Sequence, residues 1–321
     1  MLSQVMIILV NWNGWRDTVE CLESLQKLDY PDFRVVVCNN GSSDDSLGQI
    51  RSWADSRAVS WAEYQRSKAE AGGLHAVDPQ LTLISIEENL GFAGGNNVGI
   101  RYGMARGDIS YYWLLNNDTV VEPAALTQMV LRMQNDQTVG ICGSTIRLYH
   151  DHEKIQALGG GHYYHWLGLP WHYGRFIRWD RREINQEQAE ARMNYVEGAS
   201  MLVSKQFVEQ VGLMCEDYFL YFEEADWAIR AKGRFRLGYA SRSVVYHKVG
   251  RSIGTSSNPL TISYTSDYFN IRNRLMFTRR FYPAALPTVW LVIVAAFFVR
   301  LCCGKWDRAM MIFRLLFSKT K

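Results

Sequence analysis

Short apolar runs alternate with amphipathic stretches along the first 135 residues of the chain. The apolar runs predict β-strands at residues 5–10, 34–38, 81–86 and 110–115. The stretches with a period near 3.6 predict α-helices at residues 17–26, 44–54, 95–106 and 123–134. Residues 56–78 are rich in small and charged side chains and are predicted to form a loop. Because strand and helix alternate, the predicted fold class is α/β, with a mainly parallel central sheet flanked by helices.

A polar cluster follows each of the four predicted strands. In chain order the clusters are "NWNG", "NNGSSDDS", "ENLGFAGGNN" and "NNDTVV". Sheets of this type bind ligands at the carboxyl ends of their strands, so we expect the clusters to line one crevice. Each cluster also has an ordinary explanation, since Ser43 or Asp44 is a typical cap for the next helix. Four clusters at one sheet edge favour a binding site over four unrelated turns.

The glycines of "GFAGGNNVG" do not have the G-x-G-x-x-G spacing of a dinucleotide phosphate turn. They permit close approach of the backbone to a ligand beside a helix N-terminus, where Asn96 and Asn97 offer amide groups. The sequence therefore favours a ligand site here that differs from the dinucleotide-binding type.

Composition limits the function classes. The chain has 321 residues, 48% hydrophobic and 21% charged, which is typical of a globular protein with one large or two modest domains. A net charge of +3 is too small to indicate nucleic-acid binding, and no nucleic acid partner is expected. The six cysteines show no paired spacing, which predicts neither a zinc site nor disulfides and favours a reducing compartment. The N-terminal apolar run lacks a basic leader and is interpreted as a strand rather than a secretory signal.

The composition changes after residue 270, where ten Lys and Arg residues stand against Asp307 alone. The apolar run at residues 286–303 is 18 residues long, slightly short of the roughly 20 that a spanning helix needs. Arg300 near its end is expected to snorkel towards the interface. We predict a monotopic or re-entrant helix at a membrane surface, with a buried C-terminal helix as the alternative.

Two further segments carry candidate chemistry. "YFEEADWAIRAKG" predicts a helix whose first turn holds Glu223, Glu224 and Asp226, although the helix dipole by itself favours carboxylates there. Residues 149–192 are rich in glycine and aromatic side chains, which suit an acceptor-side loop, a membrane contact or a local aromatic core. The histidines of this segment lack a metal-binding spacing and are excluded from the site: His162, His165 and His172.

Eight segments together resemble one known family. They are "ILVNWNG", "VVVCNNGSSDDS", "NLGFAGGNNVGI", "LLNNDTVV", "EGASMLVS", "YFLYFEEADWAIRAKG", "VVYHKVGRSIG" and "YFNIRNRLMF". The chain resembles the inverting glycosyltransferases of family 2 with the GT-A fold, and more narrowly their bacterial rhamnosyltransferase-like members. The resemblance extends from about residue 5 to residue 280. It implies a nucleotide-diphospho-sugar transferase fold with an apolar and basic helical extension at the C-terminus.

The resemblance implies a donor pocket for a nucleoside-diphosphate sugar. Its candidate residues are Asn11, Asn13, Asn39, Asp44, Asn89, Gly94, Asn97 and Asn117. Asn39 stands where the family usually carries an aspartate that binds the pyrimidine base. Because an amide keeps an acceptor oxygen, Asn39 remains a candidate for base recognition, with Asp44 as the alternative.

The resemblance also implies a divalent cation, Mg²⁺ or Mn²⁺, held by Asp118 and completed by His247. A hard cation of this kind takes oxygen ligands and offsets charge on a departing diphosphate. Asn116 occupies the first acidic position of the family motif, which leaves one charged ligand. Arg251 and Ser252 are expected to contact phosphate oxygens.

The catalytic base implied by the resemblance is Glu224, which would deprotonate an acceptor hydroxyl without a covalent intermediate. The family usually carries aspartate at this position, so Asp226 remains an alternative base. The expected reaction moves one sugar, rhamnose or a similar hexose, to a glycan acceptor in cell-surface polysaccharide synthesis. Processive synthesis is disfavoured because the chain lacks several long apolar segments. A sugar nucleotidyltransferase and a degenerate, inactive nucleotide-sugar-binding protein are the alternatives.

The predicted domain arrangement follows from these assignments. Residues 1–270 are expected to form the glycosyltransferase domain, with a nucleotide-sugar-binding half at 1–122 and an acceptor half at 123–270. Residues 271–321 are expected to form a membrane-associating helical segment. The predicted location is the cytoplasmic face of the plasma membrane, peripheral or monotopic, where a polyprenyl-diphosphate-linked acceptor would be presented.

Overall fold

The computed structural model describes residues 3–74, 78–175, 177–179, 184–249 and 262–317. The strands are β1 Val5–Asn11, β2 Phe33–Asn40, β3 Trp61–Gln65, β4 Leu81–Ile86, β5 Tyr111–Asn116, β6 Thr119–Val121, β7 Val139–Leu148, β8 Asp151–Leu158, β9 Gly160–Tyr164, β10 Leu169–His172, β11 Tyr195–Val196, β12 Ser200–Ser204 and β13 Arg236–His247. The helices are α1 Trp15–Leu25, α2 Ser46–Ser56, α3 Arg66–Glu70, α4 Gly91–Arg106, α5 Ala125–Asn135, α6 Gln186–Arg192, α7 Lys205–Val211, α8 Glu223–Ala231, α9 Tyr264–Phe281, α10 Leu286–Cys302 and α11 Trp306–Phe317. The phosphate contacts predicted for Arg251 and Ser252 lie outside the described residues.

The thirteen described strands form one mixed sheet, in which ten follow the order β10-β9-β8-β7-β12-β5-β1-β2-β4-β3. Outside this order, β11 pairs with β9, and β13 pairs with β6 and β7. The N-terminal half is parallel, since β1 pairs in parallel with β2 and β5, and β4 pairs in parallel with β2 and β3. In the C-terminal half, β12 runs antiparallel between β5 and β7. The α/β class with a mostly parallel central sheet is thus confirmed, and the two predicted halves share this sheet.

Strand β1 shows why the sheet is covered on both faces. Met6 and Ile8 belong to one buried cluster, whereas Val5, Ile7 and Leu9 belong to the cluster on the opposite face. A strand buried on both sides has no polar alternation, which explains the continuous apolar run in the sequence. The parallel register then brings the polar ends of β1, β2 and β5 to the same edge.

The predicted loop at residues 56–78 was wrong in part, because it contains strand β3 and helix α3. Strand β3 is the last strand of the parallel half, and Tyr64 is its one buried residue. A short edge strand with one buried residue has no continuous apolar run, so its sequence resembles a loop.

The glycines of helix α4 serve packing. A Cβ at Gly99 would lie 2.6 Å from Cγ2 of Ile8, and a Cβ at Gly95 would lie 2.7 Å from Cγ1 of Val10. The helix therefore approaches β1 more closely than side chains would allow. A Cβ at Gly94 would lie 2.6 Å from Cβ of Leu90, the residue before α4, so packing at the start of the helix requires glycine there.

The C-terminal helices form a three-helix unit with its own core, and the predicted boundary at residue 270 falls inside α9. One face of α9 packs against α10 and α11 through Ile271 and Leu275. Another face carries Phe277 into an aromatic cluster with Tyr163 and Phe222. Helix α9 therefore belongs both to the body formed around the sheet and to the C-terminal unit.

Arg300 does not snorkel, contrary to the prediction. Its guanidinium makes two hydrogen bonds to the carboxylate of Asp267 on α9, at 2.9 and 2.7 Å, and the residue is only 6% exposed. A buried charge needs such a partner, so Arg300 attaches α10 to α9.

Candidate active site

A cavity of about 390 Å³ lies at the carboxyl edge of the parallel strands. Each of the four polar clusters contributes to its wall, through Trp12, Asn40, Asn89 and Asn117. The other wall comes from the C-terminal half of the sheet, from the 219–222 segment, from α8 and from α9. Its polar residues are Gln156, Tyr163, His172, Tyr195, Glu197, Tyr221, Glu223, Glu224, His247 and Asn270.

Buried amides join the ends of β1, β2 and β5. The Asn11 amide donates to Oδ1 of Asn39 at 2.8 Å, and Thr18 Oγ1 donates to Oδ1 of Asn11 at 2.8 Å. The Asn117 amide donates to Thr18 Oγ1 at 2.9 Å and lies in the cavity wall. The structure thus brings Asn11, Asn39 and Asn117 into one network beside the cavity.

Asn13 and Asp44 hold loops together and lie outside the residues that line the cavity. Oδ1 of Asn13 accepts from the backbone N–H groups of Ser43 and Asp44, at 2.8 and 3.2 Å. Oδ1 of Asp44 accepts from the backbone N–H of Ser46, the first residue of α2, at 3.1 Å. The N-cap position of α2 is Asp45, which makes no side-chain cap hydrogen bond, so Asp44 contacts the start of the helix from the position before the cap.

Asn89 and Asn97 have different environments. Asn89 lies in the cavity wall, where its Oδ1 accepts from the Asn40 amide at 3.0 Å. Asn97 is fully buried away from the lining, and its amide donates to Met214 O at 2.9 Å and Glu216 Oε1 at 2.8 Å. Its Oδ1 accepts from the Met214 N–H at 3.1 Å. The predicted donor contact of Asn97 does not fit this position, because its amide attaches α4 to the 214–216 segment.

Asp118 and His247 meet in the cavity wall. Strand β13 pairs with β6 so that His247 lies opposite Thr119, which brings Nε2 of His247 to 3.1 Å from Oδ1 of Asp118. Burial disfavours both charges, but their mutual attraction prevails: the pKa of Asp118 is lowered and that of His247 is raised. Nδ1 of His247 donates to Oε1 of Gln156 at 2.9 Å, which orients the ring.

The Asp118–His247 pair fits a divalent cation. Mn²⁺ accepts both a carboxylate oxygen and an imidazole nitrogen as ligands. Mg²⁺ prefers oxygen and would be bound by the carboxylate. Among the described residues, no group of three His, Cys, Asp or Glu side chains could hold a metal ion. The remaining coordination positions would therefore belong to donor phosphates and water.

Glu224 lines the cavity, whereas Asp226 is buried in the protein and paired with arginines. Glu224 lines the cavity, and its Oε2 has no hydrogen-bond partner among the described residues. Burial and the nearby Glu197 raise the pKa of Glu224 to about 7. Asp226 is fully buried outside the lining, where it pairs with Arg230 at 2.5 Å and Arg280 at 3.2 Å.

His172 lines the cavity, so its exclusion from the site was wrong. Hairpin β9–β10 brings His172 opposite Gly161, and its Nε2 lies 2.9 Å from Oε2 of Glu197. The Gln156 amide donates to the other Glu197 oxygen at 3.4 Å, which connects this pair to His247. Sequence reasoning missed Glu197, although it is the first residue of the family segment "EGASMLVS". Metal spacing could not reveal His172, because its partner comes from a distant part of the chain.

The backbone before Glu223 is strained. Phe219, Tyr221 and Phe222 have φ angles of 61°, 68° and 76°, which cost bulky residues roughly 1–3 kcal/mol each. The buried amide of Asn273 on α9 donates to the carbonyl oxygens of Tyr218 and Leu220, both at 2.7 Å. Helix α9 thereby holds the segment that leads to Glu224.

Residues 6–159 match the family model described as Glycosyl transferase family 2. The chain is 22% identical over 232 residues to the low-salt glycan biosynthesis hexosyltransferase Agl10 of Haloferax volcanii, covering 72% of this chain and 62% of that protein. It is 24% identical over 150 residues to hyaluronan synthase 2 of Heterocephalus glaber, covering 42% of this chain and 27% of that protein. The chain thus spans less than two thirds of the length of both relatives.

Solved structures share the fold at low identity. The mannosyltransferase PcManGT from Pyrobaculum calidifontis, in complex with GDP-Man and Mn²⁺, has a TM-score of 0.58 and 16% identity, covering 100% of this chain and 89% of its own. TarS 1–349 of S. aureus in complex with UDP-GlcNAc has a TM-score of 0.52 and 12% identity, covering 85% and 66%. The fold is that of the GT-A glycosyltransferases. The match of residues 6–159 to the family 2 model agrees with the resemblance of the sequence segments to that family.

Proposed function

We propose that the protein is an inverting glycosyltransferase that moves one sugar from a nucleoside-diphosphate donor to a hydroxyl of a glycan acceptor. One observation carries the proposal: a single cavity holds the Asp118–His247 pair and the Glu224 carboxylate, whose Oε2 has no hydrogen-bond partner among the described residues. The first group suits a diphosphate with its cation, and the second suits a general base. The hexosyltransferase and the GDP-Man and UDP-GlcNAc complexes among the similar proteins support this choice of donor class.

On the donor side, Asp118 and His247 would hold Mg²⁺ or Mn²⁺, which when bound offsets the charge of the departing diphosphate. Gln156 orients the His247 ring through Nδ1, so that Nε2 faces Asp118. Asn117 lines the same wall and is fixed by its hydrogen bond to Thr18. These contacts hold the diphosphate end of the cavity in one arrangement before the donor binds.

On the acceptor side, Glu224 in its deprotonated form accepts the proton of the attacking hydroxyl. The hydroxyl oxygen forms a bond to the anomeric carbon as the bond to the diphosphate oxygen breaks on the opposite face, which inverts the configuration. A pKa of about 7 makes Glu224 a stronger base than an ordinary glutamate and leaves much of it deprotonated at neutral pH. Asp226 is disfavoured as the base because both of its oxygens are engaged by Arg230, Arg280 and Tyr218.

The test begins with purified full-length protein and a panel of nucleotide sugars, screened by thermal shift with and without Mn²⁺ or Mg²⁺. The selected donor is then assayed for released nucleoside diphosphate. Glu224→Gln should bind the donor and lose transfer, while Glu209→Gln on the exposed surface of α7 serves as the matched control. Release of pyrophosphate from a nucleoside triphosphate would identify a nucleotidyltransferase instead, and binding without turnover would indicate an inactive sugar-nucleotide-binding protein.

The proposal extends to a lipid-linked acceptor at the cytoplasmic face of a membrane, with rhamnose or a similar hexose as the sugar in cell-surface polysaccharide synthesis. Helix residues Pro283–Cys302 are long and apolar enough to cross a membrane by length and composition. Only 22% of its most apolar stretch is buried, whereas the core helix of a soluble protein would be mostly covered. This exposure supports a peripheral or monotopic attachment.

A further inference from the structure

Exposed apolar side chains are concentrated in two segments of the chain. Eighteen large hydrophobic residues are exposed in the described structure, and twelve of them lie at residues 164–171 or 291–317. Exposed apolar residues are therefore clustered in these two segments, unlike the single exposed apolar residues of an ordinary protein surface. We call the first segment the hairpin tip, defined by Tyr164, Trp166, Leu167, Leu169 and Trp171. The second comprises Leu291, Phe298, Val299, Trp306, Met310, Phe313 and Phe317 on α10 and α11.

The hairpin tip is attached to the start of α10. Thr288 Oγ1 donates to the carbonyl oxygen of Trp166 at 2.6 Å. Gly168, with φ of 66°, lies so close to α10 that a Cβ there would be 2.9 Å from Cγ1 of Val289. The His165 ring stacks on Tyr282 with 4.7 Å between centroids. The two exposed apolar segments therefore belong to one connected structure.

The same hairpin reaches the cavity. Tyr163 of β9 and Pro170 and His172 of β10 line it, while Trp166 and Leu167 at the turn are 53% and 48% exposed. Only a few residues separate the exposed turn from the cavity wall. A ligand that contacts the turn can thus extend along β10 into the cavity.

The chemistry of the two segments favours a lipid bilayer as the partner. Trp and Tyr, with an apolar ring and a polar edge, are enriched at membrane interfaces. Helix α11 exposes Trp306, Met310, Phe313 and Phe317 at helical spacing, and Arg314 is exposed beside them. Cationic side chains next to an apolar face suit an anionic leaflet.

We propose that the hairpin tip enters the membrane interface beside α10 and α11, and that the cavity takes a glycan acceptor whose lipid part remains in the bilayer. This inference rests on the proposed function for the acceptor site and deepens it, because it assigns the route of the acceptor to β9–β10. In this proposal the hairpin tip contacts the membrane and takes no direct part in catalysis. The membrane contact itself does not depend on which sugar is transferred.

The test uses full-length protein and vesicles of phosphatidylcholine with roughly one third phosphatidylglycerol. The double variant Trp166→Ser with Leu167→Ser removes exposed side chains that do not line the cavity. The matched control is Leu131→Ser, an equally exposed leucine on α5. We expect the hairpin variant to keep its melting temperature and to bind vesicles about tenfold more weakly, while the control binds as the unaltered protein does.

A second measurement compares one acceptor sugar presented as a polyprenyl diphosphate and as a methyl glycoside. The hairpin variant should transfer about tenfold more slowly to the lipid-linked form and at an unchanged rate to the soluble form. Equal loss with both acceptors would overturn the proposal in favour of a positioning role inside the site. Unchanged vesicle binding would overturn it as well, and so would a change of oligomeric state without vesicles, which would identify an interface between copies. If the unaltered protein transfers to neither acceptor, the proposed function fails, while vesicle binding still decides the membrane contact.

Discussion

Glu224 and Asp226 stand two residues apart in the first turn of α8, and their surroundings predict opposite effects of substitution. Glu224→Gln keeps the shape of the side chain but cannot accept a proton, so transfer should fall by about 10²–10⁴-fold with donor binding retained. Asp226→Asn should leave Arg230 and Arg280 poorly paired and lower the melting temperature, with a smaller effect on rate. Rates and melting curves of both variants provide the measurement. An inactive but stable Asp226→Asn beside an active Glu224→Gln would reverse the assignment.

The pH profile should report the raised pKa of Glu224. A base must be deprotonated, so kcat/KM should fall as the pH drops below about 7. Glu197→Gln removes a negative charge that raises the pKa of Glu224, and the acidic limb should therefore move to lower pH. An unmoved limb in this variant would show that another group controls the profile. The other carboxylate and imidazole groups of the cavity wall are Asp118, His172, Glu223 and His247.

The same raised pKa has a consequence for stability. Because the folded state holds the Glu224 proton more tightly than the unfolded chain does, its stabilising contribution is full below about pH 4.5 and is lost as the pH rises through about 7. Glu224→Gln should then melt at a higher temperature than the unaltered protein at pH 8. The difference should disappear near pH 4, as measured by calorimetry across the pH range. A melting temperature that is lower at pH 8 would contradict burial of the charged form as the cause.

Cation binding should depend on Asp118 and respond to Asn116. Asp118→Ala removes the carboxylate of the proposed pair, so Mn²⁺ should no longer increase the thermal stabilisation produced by GDP or UDP. Asn116→Asp restores the second acid of the family motif and should allow Mn²⁺ alone to raise the melting temperature. Stabilisation by Mn²⁺ with nucleotide that survives Asp118→Ala would remove this residue from the cation site.

At the scale of elements, helix α9 positions the base through Asn273. Asn273→Leu leaves the carbonyls of Tyr218 and Leu220 without their donor, so the strained segment before Glu223 should relax. We expect kcat to fall with the donor KM unchanged, and the acidic limb of the pH profile to shift as Glu224 moves. Tyr264→Ala, at an exposed position of the same helix, serves as the control. A proportional loss of folded protein with normal kcat would indicate a purely structural role.

Strand pairing explains which parts of the site were predictable at this scale. The parallel strands β1, β2, β4 and β5 were predicted within a few residues, because strands buried on both faces show uninterrupted apolar runs. Strand β3 was missed because this short edge strand has only one buried residue and therefore no continuous apolar run. Hairpin β9–β10 has a mixed composition that is compatible with several folds, so the position of His172 depended on its register with Gly161.

At the scale of the whole molecule, the three C-terminal helices are both a packing partner and the proposed membrane contact. Removing residues 283–321 would expose Ile271 and Leu275 and leave Asp267 without Arg300, so we expect a lower melting temperature. Phe313→Ser with Phe317→Ser should instead keep the melting temperature and weaken vesicle binding, since both side chains are exposed. Melting curves and vesicle flotation separate the two effects. A truncated protein that is stable and active would show that the helices serve attachment alone.

The sequence by itself determined the α/β class, the parallel half of the sheet and the collection of polar clusters at its edge. Hydrophobic periodicity reports which faces of an element are buried, and parallel strands necessarily end on the same side. The eight segments in family order further indicated a resemblance to glycosyltransferase family 2, whose family model matches residues 6–159. These properties depend on local pattern and order, both of which are present in the chain itself.

Only the tertiary structure decided which polar side chains face the cavity. Asn97 and Glu224 both belong to family segments, yet Asn97 is engaged by Met214 and Glu216 while Glu224 Oε2 remains unengaged within the described part of the chain. His172 enters the wall and Arg300 turns inward to Asp267 because partners from distant elements meet them there. The direction and charge state of a side chain depend on contacts across the fold, and local periodicity contains no information about those contacts.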